Sequence, residues 1–123
     1  LRDTSEEIMV GLKSRFLESA DIVANRHRLK LNKTERSWLS PVSLDSELAD
    51  KLAGLAERNE LPARRMPSGA GHDAQTMQSF CPSGLIFVPS RAGISHAPEE
   101  HSDWSDIEKG ANLMLQALLD LSG

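Results

Sequence analysis

The 123-residue sequence predicts an α/β fold. Three observations carry that expectation. Helical and extended stretches alternate along the chain, the apolar run Leu85-Ile86-Phe87-Val88 is bounded by Gly84 and Pro89, and glycine-bearing turns adjoin the extended stretches. A continuous apolar run of that length suits a strand covered on both faces, with helices on either side of the sheet. Loops beyond the strand ends then carry the ligand site.

Taken in order, Leu1-Arg2 reads as an extended start. Thr4-Ser5-Glu6-Glu7 offers a capping box, in which Thr4 accepts from the amide three residues on while Glu7 reaches back. A helix follows to about Asn25, with Ile8, Met9, Leu12, Phe16, Ala20 and Val23 forming its inner stripe at three- and four-residue spacing. Beyond His27, residues 28–36 alternate apolar and charged before turning fully polar, the pattern of an exposed or edge strand. Ser40-Pro41 interrupts that pattern, and a boundary is expected near residues 38–43.

A second helix then places Leu48, Leu52, Leu55 and Ala56 on one face. Leu61-Pro62-Ala63-Arg64-Arg65-Met66 is short and extended, leading into Pro67-Ser68-Gly69-Ala70-Gly71. Those small residues suit a tight turn where backbone approaches another group closely. After the run at 85–88 the last helix begins near Ser105, with Glu108 as capping-box partner and Ile107, Ala111, Met114, Leu115 and Leu118 as its inner stripe. There is no internal repeat and no low-complexity tract.

The formal net charge of −4, with basic residues scattered and no Lys/Arg stripe interleaved with aromatics, argues against a nucleic-acid surface. No apolar stretch approaches the ~20 residues needed to span a bilayer, so no membrane partner is expected. The single Cys81 cannot form an internal disulfide, which makes a reducing, cytoplasmic setting the default. Between Phe80 and Pro82, ahead of an apolar strand, Cys81 is expected as a small buried thiol rather than a nucleophile. The chain opens without an initiator Met, from which an internal start within a longer protein is expected.

Polar, titratable residues sit in two small-residue loops flanking the apolar run. These are Ser68-Gly69-Ala70-Gly71-His72-Asp73-Ala74 and Gly93-Ile94-Ser95-His96-Ala97-Pro98-Glu99. A histidine beside glycines can present its ring to a ligand, and a neutral imidazole serves both as metal ligand and as hydrogen-bond donor. Taken singly, each is as readily a turn histidine bonded to nearby backbone. His27 and His101 are expected to be solvated, Asp73 to orient or cap, and Glu99 to brace its loop. One histidine cannot build a hydrolytic metal centre, since a catalytic zinc takes three protein ligands.

Together, Pro-Ser-Gly-Ala-Gly-His-Asp-Ala at 67–74 and Leu-Ile-Phe-Val-Pro-Ser-Arg-Ala-Gly-Ile-Ser-His-Ala-Pro-Glu-Glu at 85–100 resemble the C-terminal motifs of one family. It comprises N-carbamoyl-L-amino acid hydrolases, allantoate amidohydrolases and β-ureidopropionases, within the wider dinuclear-zinc metallopeptidase and aminoacylase group. The resemblance implies a two-domain enzyme, with a dinuclear catalytic domain and a lid domain through which it forms a homodimer. Residues 1–38 would end the lid as strand, helix and strand, and residues 39–123 would be the C-terminal part of the catalytic domain. The chain would then be a C-terminal fragment, inactive alone.

By position, the resemblance makes His96 a metal ligand for zinc or manganese, in a site of two ions whose other ligands lie outside this chain. It makes His72 a catalytic residue that contacts substrate and the negative charge developing on it. It makes Arg2 a substrate-binding residue, whose guanidinium fork suits a carboxylate. The implied reaction is metal-assisted hydrolysis of a small ureido substrate bearing a carboxylate, either an N-carbamoyl amino acid or allantoate, releasing ammonia and carbon dioxide. The alternatives are an aminoacylase or dipeptidase of the wider group, or a non-catalytic scaffold or dimerisation segment.

Overall fold

A computed structural model describes residues 1–123. Its elements are α1 (Glu6–Arg26), α2 (Ser46–Arg58), α3 (Asp73–Met77), a single 3-10 turn (Arg91–Gly93) and α4 (Trp104–Ser122), with no β-strand. The expected sheet is therefore corrected. Leu1-Arg2, residues 28–36, 61–66 and 85–88 carry no helix and no ladder. An extended segment becomes a strand only when a neighbour bonds its backbone in a ladder, and none of these stretches has such a partner within the chain.

The chain forms two compact units, Leu1–Ser43 with Pro67–Gly71, and Leu44–Met66 with His72–Gly123. In the first, α1 starts one residue later than the capping box suggested. Ser5, not Thr4, is the N-cap and accepts from the Ile8 amide at 3.3 Å, while the Asp3 carboxylate accepts from the Ser5 amide at 2.9 Å. Only Met9 and Ala24 are buried on α1. Ile8, Phe16 and Val23 of the expected stripe are at least half exposed, because little apolar chain returns to cover them.

What does return is the polar segment after His27. Lys33 pairs with Asp21, Glu35 accepts from Lys13 Nζ at 2.6 Å, and Trp38 Nε1 donates to Glu6 Oε1 at 2.8 Å. Rising residue numbers in the segment meet falling numbers on the helix, so it runs antiparallel along α1. Lys13 Nζ also lies 4.9 Å from the Trp38 ring centroid, within cation–π range.

The second unit has an apolar core. Leu55, Ala56, Leu113 and Ala117 are buried together, with Leu52, Leu61 and Ile86 packed against them. The helices α2 and α4 thus face one another, and Asn59 and Gln116 exchange two amide hydrogen bonds of 2.5 and 3.0 Å across them. The α2 stripe is as expected, whereas that of α4 is not: Leu113 and Ala117 are buried while Met114, Leu115 and Leu118 are exposed. Small residues decide the face. A Cβ on Gly110 would stand 2.5 Å from Val88 Cγ1, so α4 presents Gly110, Leu113 and Ala117 inward.

Asp45 caps α2 through a 2.7 Å bond from the Leu48 amide. The Gln78 side-chain oxygen then accepts from both Asp45 and Ser83 amides, at 3.2 and 2.9 Å, fixing the start of the 84–90 segment to the start of α2. Leu85, Ile86 and Val88 are half-buried and Phe87 is 51% exposed, so the run is not covered on both faces. Cys81 is exposed, against expectation. The turn in which the Phe80 and Cys81 amides both donate to the Met77 carbonyl puts these two side chains outside the core. No helix is long and apolar enough to cross a membrane.

Candidate functional site

The residues singled out in the sequence fall in different places. Arg2 belongs to the first unit, and His72 and His96 to the second. Arg2 is exposed beside the glycine turn: a Cβ built on Gly69 would lie 3.7 Å from Arg2 Nη1 and 3.9 Å from its Cδ. The turn thus passes close to the guanidinium, and the Ser68 hydroxyl accepts from the Ala70 amide at 3.2 Å to shape it.

His72 is half-buried and is the N-cap of α3. Its amide donates to Gln75 Oε1 at 3.2 Å, and its carbonyl accepts from the Gln75 amide at 2.9 Å. These reciprocal bonds fix the backbone that carries the ring. The imidazole meets the Phe87 ring edge-on, with centroids 5.5 Å apart and planes at 63°. Asp73 opens α3, where an acidic side chain complements the helix dipole.

His96 is exposed, in a loop that closes on itself. The Arg91 amide donates to the His101 carbonyl at 2.7 Å, the Ser90 hydroxyl to the Ile94 carbonyl at 2.5 Å, and Arg91 Nη2 to Asp103 Oδ1 at 2.8 Å. Asp103 is the N-cap of α4, which starts at Trp104 rather than Ser105. Its side chain caps nothing because it serves Arg91, with His101 Nε2 3.5 Å away. His96 itself has φ 57, the left-handed region. Its amide donates to Glu100 Oε2 at 2.7 Å, so the bracing acid is Glu100 rather than Glu99.

Gln75, Phe87 and Glu100 were not singled out in the sequence. The signal for Glu100 was its place four residues beyond His96, across Ala97-Pro98. An open groove lined by Val10, Lys13, Leu17, Glu35 and Trp38 on the first unit contains none of the assigned residues.

A profile of the family described as Peptidase family M20/M25/M40 matches residues 4–120. The chain belongs to that family. Among its relatives, N-carbamoyl-L-amino-acid amidohydrolase of Paenarthrobacter aurescens is 35% identical over 118 residues, which is 96% of this chain and 29% of the relative. Allantoate amidohydrolase of Escherichia coli is 42% identical over 87 residues, covering 69% of this chain and 21% of the relative. An amidase of the hydantoinase/carbamoylase family from Burkholderia multivorans superposes with a TM-score of 0.89 at 29% identity, over 96% of this chain and 29% of that one. The chain thus spans less than a third of the length of these relatives. The M20/M25/M40 family is generally metal-dependent. No three His, Cys, Asp or Glu side chains of this chain converge as a cation site requires, so these residues do not by themselves fit a complete metal centre.

Proposed function

We propose that this chain is the C-terminal portion of a hydrolase that cleaves a non-peptide C–N bond in a linear amide, an N-carbamoyl amino acid or allantoate. The observation that carries the reading is the structural likeness to a carbamoylase-family amidase over 96% of the chain, joined by relatives named for carbamoyl and allantoate substrates. Residues 1–38 would belong to a lid that forms the homodimer, and residues 39–123 to the catalytic domain. The extended run 85–88, apolar and without a ladder here, would pair with strands from the rest of the protein.

Within this reading His96 offers one exposed imidazole to a donor set completed elsewhere in the polypeptide. The divalent ions, zinc or manganese, would supply a water of lowered pKa. His72, held by Gln75 and backed by Phe87, would donate a hydrogen bond to oxygen as it gains charge on the carbonyl side of the scissile bond. Arg2, beside the open Gly69 backbone, would take a substrate carboxylate in its fork. The 123 residues alone would not turn over substrate.

The test is ammonia release from N-carbamoyl amino acids and allantoate by the complete polypeptide carrying these residues, with and without His96→Ala. Metal-dependent release that collapses in the variant supports the reading, and binding of metal without hydrolysis of either substrate overturns it. A peptide-bond reading has one observation in its favour, that the matched family is named for peptidases. Cleavage of acyl-amino acids or dipeptides in the same assay would select it.

A further inference from the structure

The loop from Ser90 to Asp103 contains a feature whose chemistry the proposed roles leave unused. His96 occupies the left-handed region at φ 57. Non-glycine residues stay in such a conformation only where their surroundings determine it. Here the determinant is visible: Glu100 Oε2 accepts the His96 amide at 2.7 Å, and the Glu100 amide donates to the Ala97 carbonyl at 3.0 Å, folding the four-residue turn that brings the carboxylate back. The ends of the loop are fixed independently, by Arg91 to the His101 carbonyl and by the Arg91–Asp103 pair. What Glu100 adds is local to residue 96.

We propose that Glu100 is a positioning residue for His96, its carboxylate holding the left-handed backbone from which the imidazole projects. The inference rests on the reading of His96 as a metal ligand. A backbone released from the left-handed region would swing the Cα–Cβ bond and carry the ring nitrogens away, and metal–nitrogen bonds of about 2.0–2.1 Å tolerate little misplacement. Glu100 is exposed and outside the apolar cluster, so its removal leaves no cavity and its effect should fall on aim rather than on packing.

The experiment is zinc titration of the complete polypeptide against a competing chromogenic chelator, together with thermal unfolding, for Glu100→Ala, Glu100→Gln and His96→Ala. Glu100→Ala is expected to weaken zinc roughly tenfold to a hundredfold, the usual range for groups that orient a ligand, without lowering the unfolding temperature of the zinc-free protein to match. Glu100→Gln keeps an acceptor oxygen and should recover most of the affinity. If Glu100→Ala binds zinc like the parent while His96→Ala does not, the positioning role is overturned and the ligand role stands. If His96→Ala also binds like the parent, the ligand reading fails and the inference falls with it. Should Glu100→Ala not fold, Glu100→Gln decides alone, and a loss there as large as that of His96→Ala overturns the proposal.

Discussion

The unit containing α2 and α4 closes around apolar side chains, whereas the unit containing α1 is tied mainly by exposed charged groups. In the former, Leu55, Ala56, Leu113 and Ala117 leave water together, a term roughly proportional to buried apolar area and not screened by salt as charge pairs are. In the latter the ties are Lys13–Glu35, Lys33–Asp21 and the Trp38–Glu6 hydrogen bond, at side chains still in contact with solvent. Exposed pairs of this kind contribute at most about 1 kcal/mol each. The contrast teaches that two units of one chain can look equally ordered while resting on interactions of different strength and different response to solvent.

The largest effect should come from the apolar unit. Leu55→Ala is expected to cost about 2–4 kcal/mol, read as a shift in the urea midpoint with Trp38→Phe leaving Trp104 as reporter of that unit. A cost below 1 kcal/mol would break the contrast. An intermediate effect tests a feature the two units share. Both α1 and α2 end in the same motif, with Leu29 donating to the Ala24 carbonyl and Leu61 to the Ala56 carbonyl, each after a non-glycine residue of positive φ, Arg28 and Glu60. Glycine removes the Cβ penalty there but adds freedom to the unfolded chain, so Arg28→Gly and Glu60→Gly should each gain about 0.5–1 kcal/mol. Equal gains would show that the units differ in their cores and not in how their helices stop. The smallest effect belongs to the charged unit: Lys13→Met should cost no more than about 1 kcal/mol at low salt and less at 1 M, followed by Trp38 fluorescence in a Trp104→Phe background. A cost that does not change with salt would show that the lysine stem, not its charge, holds the segment.

The same contrast explains what could be read from the sequence. The α2 stripe was legible because its opposite face is charged, leaving one way to turn the helix. The α4 sequence is apolar nearly all round from Leu113 to Leu121, so periodicity allowed two faces, and the close approach at Gly110 and Ala117 chose the one the large residues did not suggest. The start of α1 was missed by one position because Thr4 and Ser5 are both competent caps and the deciding contact, from Asp3, lies outside the box. Strands were expected at 28–36 and 85–88 and none forms, and Arg28 instead ends α1 with positive φ, since apolar pattern reports fitness for a sheet and says nothing of whether a neighbour is present. The two loop histidines were singled out by their small-residue surroundings. What braces them was not singled out, because Gln75 and Glu100 act through the histidine amides, and their spacing gains meaning only once the turns that follow each histidine are placed.

Pro82 and Pro89 bracket the run from Ser83 to Val88. Neither has an amide hydrogen to donate, so any chain that docks wrongly along this open backbone meets a break at each end. The stretch most able to seed aggregation during synthesis or storage is therefore held to a length at which a mispaired ladder is short and readily shed.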